Sequence, residues 1–79
     1  MPTDTFVGMR IKARRMELKI SQEQLGNEVK LTFQQIQKYE KGVNRVGASR
    51  LVQIAAALGV NPAYFFEGLP ISASPHIPD

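Results

Sequence analysis

The chain has 79 residues, a net charge of +3 and no cysteine. This length suits one small domain, and without cysteine neither disulfide bonds nor thiolate metal sites can form, which fits a reducing cytoplasm. The apolar runs are too short to span a bilayer, and the N-terminus lacks the pattern of a signal peptide. We therefore expect a cytoplasmic protein without membrane contact. We also expect no cofactor or metal, and no small-molecule substrate is evident in the sequence. Its Lys and Arg residues, none of which follows Arg50, permit binding to a polyanion.

The first predicted element is a helix over residues 7–18, which follows a segment at residues 1–5 that we expect to be flexible. Val7, Ile11 and Leu18 recur at helical spacing. These three side chains should therefore form one apolar stripe that faces the core.

Arg15 falls on the same stripe, where a buried charge needs a partner. Glu40, near the end of the third predicted helix, is the candidate partner. The alternative is that Arg15 lays its stem along the core and keeps its charged head in water.

Two helix starts with the same capping pattern come next. Ser21 and Thr32 are each followed three residues later by a glutamine, Gln24 or Gln35. At this spacing the two side chains can exchange hydrogen bonds with free N–H groups of the first turn. The first start predicts a helix over residues 22–29, and a short turn separates it from the second. This arrangement is typical of a helix-turn-helix unit, whose second helix enters the DNA major groove.

Three backbone positions in this unit stand out. Gly26 lies inside the second helix at a cost of about 1 kcal/mol relative to Ala, which predicts close approach of the next helix; a neutral surface position is the alternative. Lys30 occupies the turn and carries about 1–2 kcal/mol of strain if its backbone is left-handed. Gly42 fits the left-handed position that ends the third helix.

The third helix is predicted over residues 33–41, and its outward side chains combine an aromatic ring with glutamines and lysines. Glutamine can bind adenine through two hydrogen bonds, lysine can reach guanine or phosphate, and an aromatic ring can pack on a thymine methyl group. The alternative is an ordinary solvated face, since Gln and Lys are good helix formers. The candidate base-reading residues are Phe33, Gln34, Gln35 and Lys38.

Phosphate contacts are predicted beside this helix. Asn44 and Arg45 lie in a loop over residues 43–47, where they could bind phosphate or enter the minor groove; a solvated loop would look the same. The further candidates for phosphate binding are Ser21, Thr32 and Lys41.

Two more helices are predicted in the C-terminal third, over residues 48–58 and 62–67. Tyr64, Phe65 and Phe66 are consecutive in the second of these. They cannot all face one core, because neighbours point about 100° apart on a helix. We interpret the three aromatic residues as a dimer contact, with a lone surface aromatic as the alternative.

Residues 69–79 contain three prolines and show no periodicity, so they are expected to form a flexible tail or a linker. His76 lies in this segment alone, without cysteines or nearby carboxylates except the terminal Asp79, and makes neither a metal site nor a catalytic set.

The segments QEQL (22–25), IQKYEKG (36–42) and IAAALGV (54–60), followed by Asn61, Pro62 and the aromatic residues, together resemble the phage-repressor and Cro-type helix-turn-helix regulators. The resemblance covers residues 7–68. It implies an all-α, five-helix, lambda-repressor-like DNA-binding domain over residues 6–68, with the helix-turn-helix at helices two and three. Lys30 departs from the family pattern, which often has Gly at this position.

The resemblance also implies roles for individual residues. Gln22 matches a phosphate contact at the start of helix two, and Arg15 and Glu40 match an ion pair between helices one and three. Members of the family commonly bind as two-fold dimers through their C-terminal helices. The positions that match base-reading residues are Phe33, Gln34, Gln35 and Lys38.

These observations predict a sequence-specific transcriptional regulator that binds double-stranded DNA as a homodimer. Two copies would place their third helices in successive major grooves about 34 Å apart, on a pseudo-palindromic operator. The alternative is an antitoxin-like or adaptor module that uses the same fold to bind another protein. An enzyme is not expected, because the sequence has no Ser/His/Asp set, metal cluster or Gly-rich phosphate loop.

Overall fold

The computed structural model describes residues 2–69, which form four α-helices and one short 3₁₀ helix. Within this range there is no strand, so the predicted all-α class is confirmed. The predicted tail beyond residue 69, including His76, lies outside the described residues. The elements are α1 (Pro2–Glu17), α2 (Gln22–Val29), α3 (Phe33–Glu40), α4 (Ala48–Leu58) and the 3₁₀ helix (Pro62–Phe66).

The first helix differs from its prediction at both ends. It begins at Pro2 and not at residue 7. Residues 2–5, which were predicted to be flexible, therefore form the first turn of α1. A residue without an N–H is tolerated there, and the Asp4 carboxylate is favourable near the positive end of the helix dipole. At the other end, Lys19 has a left-handed backbone with φ 58°. Leu18 therefore lies beyond α1 and is 39% exposed, instead of continuing the apolar stripe.

The last predicted helix is a 3₁₀ helix and not an α-helix, so the described residues contain four α-helices instead of five. Asn61 caps it, since its Oδ1 accepts a hydrogen bond from the Ala63 N–H at 2.9 Å. Glu67 is already extended, with ψ 127°, and the five-residue element ends before an α-helical ladder can develop.

The helices enclose one apolar core to which every element contributes. α1 packs against α3 and the 3₁₀ helix, while α2 packs against α3 and α4. Because α3 contacts both α1 and α2, its inner face is fixed from two sides. The buried apolar side chains are Val7, Ile11, Leu25, Val29, Ile36, Leu51, Ile54, Ala55, Leu58 and Phe65.

The connection between α2 and α3 is held by backbone contacts. A Cβ atom on Gly26 would lie 2.5 Å from the Leu31 carbonyl oxygen. The predicted close approach at Gly26 is therefore confirmed, although the neighbour is the turn and not the body of the next helix. Lys30 has φ 61° and ψ 44°, the left-handed conformation anticipated for the turn, at a cost of about 1–2 kcal/mol.

Candidate nucleic-acid interface

The outward face of α3 is polar and accessible. Ile36 and Glu40 are buried on its inner side, whereas Phe33, Gln34 and Lys38 are exposed. This places three of the four predicted base-reading residues on one surface. The fourth, Gln35, is half-buried at the edge of that surface.

Gln37 belongs to the same face and was not among the predicted site residues. It lies one turn after Phe33 and one turn before Lys41, and all three side chains are exposed. Its spacing of four residues from both Phe33 and Lys41 could have identified it, because residues four apart lie on the same side of a helix.

The first turn of α2 borders the start of α3. Ser21 forms the complete capping box: its Oγ accepts from the Gln24 N–H at 2.9 Å, and Gln24 Oε1 accepts from the Ser21 N–H at 2.7 Å. The Ser21 hydroxyl proton remains available for a further acceptor. A shallow pocket of about 310 Å³ opens here and is lined by Ser21, Gln22, Glu23 and Phe33.

Gln22 is tied to the interior by a charged network. The ion pair predicted between Arg15 and Glu40 is present, with Nε to Oε2 at 2.6 Å and Nη2 to Oε1 at 3.0 Å. Gln22 Nε2 donates to the same Oε1 at 3.0 Å. Arg15 Nη1 also donates to the Ile20 carbonyl at 2.8 Å, so the same guanidinium group fixes the segment that joins α1 to α2. The network fixes the Gln22 side chain at the start of α2.

Most of the arginines form hydrogen bonds within the chain that stabilise the fold. Four of the five arginines each donate a hydrogen bond to a backbone carbonyl group. For Arg10, Arg14 and Arg50 the acceptor is distant in the sequence, so no local pattern indicates the bond. The cations left for a polyanion are therefore Arg45 and the lysines. The four pairs are Arg10 with Tyr64, Arg14 with Leu58, Arg15 with Ile20, and Arg50 with Val29.

Arg45 lies in the loop after α3 and pairs with the first turn of α1. Its Nε lies 3.3 Å from Asp4 Oδ1, and its side chain is largely exposed. Gly42 has φ 74°, the left-handed backbone predicted for the end of α3. Lys41, the residue before it, is exposed. Lys41 and Arg45 therefore lie just beyond the C-terminal end of α3, whose outer face is polar.

The second capping pattern is only half formed. Thr32 Oγ1 accepts from the Gln35 N–H at 3.2 Å, as the spacing predicts. The Gln35 side chain does not complete a capping box. Instead, its Nε2 donates to Asn44 Oδ1 at 3.2 Å, and Asn44 Nδ2 donates to the Val43 carbonyl at 3.3 Å.

The three aromatic residues have different surroundings. Phe65 is 0% exposed and belongs to the core, so its predicted role as a dimer contact is wrong for this conformation. Tyr64 is half-buried beneath Arg10, whose guanidinium carbon lies 3.9 Å from the ring centre. Phe66 is 43% exposed. Of the three, Phe66 is therefore the side chain that a partner can reach.

Over residues 2–69, no helix has the length and apolar character needed to cross a membrane. No group of three or more His, Cys, Asp or Glu residues in that range is arranged to hold a metal ion.

Comparison with known proteins places this geometry in context. Residues 11–65 match the helix-turn-helix family HTH_3. The uncharacterized HTH-type transcriptional regulator y4aM of Sinorhizobium fredii is 58% identical over 67 residues, which cover 85% of this chain and 47% of that protein. The chain spans about half the length of the curated relatives that it matches.

Two solved structures show the same fold. The P22 c2 repressor in complex with a synthetic operator superposes with a TM-score of 0.73 and 34% identity, covering 78% of this chain and 94% of that one. The restriction-modification controller protein C.AhdI from Aeromonas hydrophila gives a TM-score of 0.76 and 26% identity, with the same coverage.

Proposed function

Because the chain belongs to the helix-turn-helix family of phage-repressor-like transcriptional regulators, we propose that it binds double-stranded DNA sequence-specifically. In this proposal α2 and α3 form the helix-turn-helix unit, and α3 lies in the major groove. The family is one of regulators and not of enzymes, as the sequence indicated.

The observation that carries this proposal is the two-sided character of α3. Its inner side buries Ile36 and the Glu40 carboxylate, which the Arg15 guanidinium holds in place. Its outer side presents Phe33, Gln34 and Lys38 to solvent. A rigid helix with a polar, hydrogen-bonding outer face suits direct readout of base edges.

Phosphate contacts would set the register of α3 in the groove. We propose Ser21, Gln22 and Thr32 as contacts at the starts of α2 and α3, where the helix dipoles favour an anion. Lys41 and Arg45 would reach the backbone beyond the end of α3. Contacts of this kind supply affinity that is independent of sequence and falls with salt.

We further propose that two copies bind one pseudo-palindromic operator in the cytoplasm, with Phe66 and the edge of Tyr64 at the contact between them. Phe66 supports this because it is a large exposed ring. It also lines a pocket of about 300 Å³ with Val46, Leu51 and neighbouring residues of α1. An exposed aromatic side chain beside an apolar pocket is typical of a protein contact.

Selection of bound duplexes from a random DNA pool tests the proposal directly. The expected result is a conserved site with two half-sites about 34 Å apart, or one helical turn. A single half-site would contradict the dimer. Failure to bind any duplex at low salt would reject DNA binding and favour a protein-interaction module.

Gln34→Ala is expected to lose about 1–3 kcal/mol of binding free energy at one base pair of the selected site. The reason is that Gln34 is exposed in the first turn of α3 and can form two hydrogen bonds to a base edge. Titration of the selected site, its single-base-pair variants and random duplex measures the effect. Gln53→Ala, which removes an exposed glutamine from α4, is the matched control and should change none of these affinities. Equal losses for Gln34→Ala on selected and random DNA would refute its role as a reader.

Arg45→Ala is expected to weaken binding to every duplex alike and to reduce the slope of log K against log salt by about one. The reason is that Arg45 contributes an exposed cation beside α3. Asp4→Asn is the matched control, because it breaks the same ion pair but keeps the cation. It should bind DNA at least as well as the original chain, and a loss equal to that of Arg45→Ala would mean that the ion pair matters instead of the charge.

A further inference from the structure

The Gln35 amide is captured by the loop that follows α3. Its backbone N–H is used by Thr32, but its side chain turns away from the capping position and donates to Asn44 Oδ1 at 3.2 Å. Gln35 lies at the edge of the polar face of α3, and it is half-buried whereas Gln34 and Lys38 are exposed. Among the candidate base-reading residues, it is the one whose amide is held by a neighbouring side chain.

The direction of this hydrogen bond is fixed by a third group. Asn44 Nδ2 donates to the Val43 carbonyl, which can only accept. Asn44 must therefore present its oxygen to Gln35, since the reversed amide would set two oxygens against each other. The loop itself is anchored on α3, because the N–H groups of Val43 and Asn44 both donate to the Lys38 carbonyl, at 3.0 and 3.5 Å.

We propose that Asn44 is a positioning residue that makes Gln35 select adenine over guanine. This inference rests on the proposed function, since it assumes that α3 lies in the major groove. It differs from the phosphate-binding role that the sequence predicted for Asn44, because the Asn44 oxygen and one of its two N–H donors are engaged within the chain.

The selectivity follows from counting donors. A free glutamine amide has two N–H donors and one oxygen acceptor. With one N–H given to Asn44, Gln35 keeps one donor beside one acceptor. Adenine presents the complementary pair in the major groove, the N7 acceptor and the N6 donor. Guanine presents two acceptors, N7 and O6, so the Gln35 oxygen would face O6 without a proton between them.

Water competes for the Gln35–Asn44 bond in the free protein, because Asn44 is exposed. The DNA interface would exclude part of that water, and an unsatisfied amide is costly there. The bond should therefore affect the choice of base more than it affects the stability of the free chain.

The test compares two base pairs at one position of the site selected by the original chain. That position is the one whose base preference disappears in Gln35→Ala. Asn44→Ala should reduce the preference for A·T over G·C there by about tenfold, within the range of one bidentate contact. Affinity for random duplex should stay within about twofold, which also shows that the variant is folded. In the Gln35→Ala background, where this preference is absent, Asn44→Ala should not weaken binding to the selected site any further.

Asn44→Asp separates the acceptor from the rest of the side chain. Aspartate keeps an oxygen for Gln35, but it loses the donor to the Val43 carbonyl and adds a negative charge. It should therefore retain part of the A·T preference while binding every duplex more weakly. Loss of the preference in this variant would contradict the acceptor role.

Other outcomes overturn the inference cleanly. If Asn44→Ala weakens selected and random DNA equally, Asn44 is a phosphate ligand and not a positioning residue. If it weakens binding to the selected site further in the Gln35→Ala background, Asn44 contacts DNA independently of Gln35. An original chain that selects no sequence would reject the proposed function together with this inference, whereas selection of a site without any effect of Asn44→Ala rejects the inference alone.

Discussion

Glu40→Ala should lower the free energy of unfolding by about 3–5 kcal/mol, the usual cost of removing one partner from a buried ion pair. The Glu40 side chain is 2% exposed and accepts three hydrogen bonds, two from Arg15 and one from Gln22. The Arg15 side chain is 11% exposed in the intact chain, and without Glu40 the Ile20 carbonyl would be the acceptor left to it. The free energy of unfolding of a native protein is about 5–15 kcal/mol, so this substitution would remove a large part of it. Urea denaturation followed by helical circular dichroism measures the change.

Glu17→Ala is the matched control, because Glu17 also pairs with an arginine of α1 but is 61% exposed. It should change stability by no more than about 0.5 kcal/mol. The double variant Arg15→Met with Glu40→Leu should recover much of the loss, since it removes the unpaired charge as well. If Glu40→Ala costs no more than Glu17→Ala, the network is not what holds α1, α2 and α3 together.

The parts of the fold that depend on residues close in sequence were predictable. Ser21 and Gln24 define the start of α2, and residues 22–29 and 48–58 are helical as predicted. The left-handed Gly42 was anticipated as well. Each of these features is decided within a few residues, by a cap, an apolar period or a position that only glycine occupies without strain.

The features that were missed depend on distant contacts. The start of α1 lies against Gly42, which no spacing within residues 1–7 could reveal. Gln35 has the correct spacing for a capping box, but a hydrogen bond to Asn44 takes its side chain. The path of the loop after α3 brings Asn44 within reach of Gln35, and no spacing around Thr32 indicates that path.

In the candidate site, too, some features depend on residues close in sequence and others on distant contacts. The polar character of α3 could be predicted, because Ile36 on the apolar side determines which residues face solvent. Which arginines bind a backbone carbonyl group could not be predicted, since an arginine that binds the end of a distant helix has the same sequence signature as an exposed one. Arg14, whose Nε donates to the Leu58 carbonyl at 2.9 Å, is an example. The composition indicated a basic surface. The structure was needed to distinguish the exposed Arg45 from the arginines that bind backbone carbonyl groups.

Gly42→Ala should cost about 2–5 kcal/mol of stability, from two separate sources. Its left-handed backbone, φ 74°, adds about 1–2 kcal/mol for a residue with a Cβ. That Cβ would also lie 2.7 Å from Thr5 Cα and 2.8 Å from Thr5 N, an overlap with backbone that adds about 1–3 kcal/mol. Gly59→Ala isolates the first source, because its φ is 69° but the nearest atom, Arg14 Nη2, is 3.8 Å away. Thermal and urea denaturation of both variants measure the difference. If the two cost the same, the first turn of α1 moves away without penalty and does not hold the loop that carries Asn44 and Arg45.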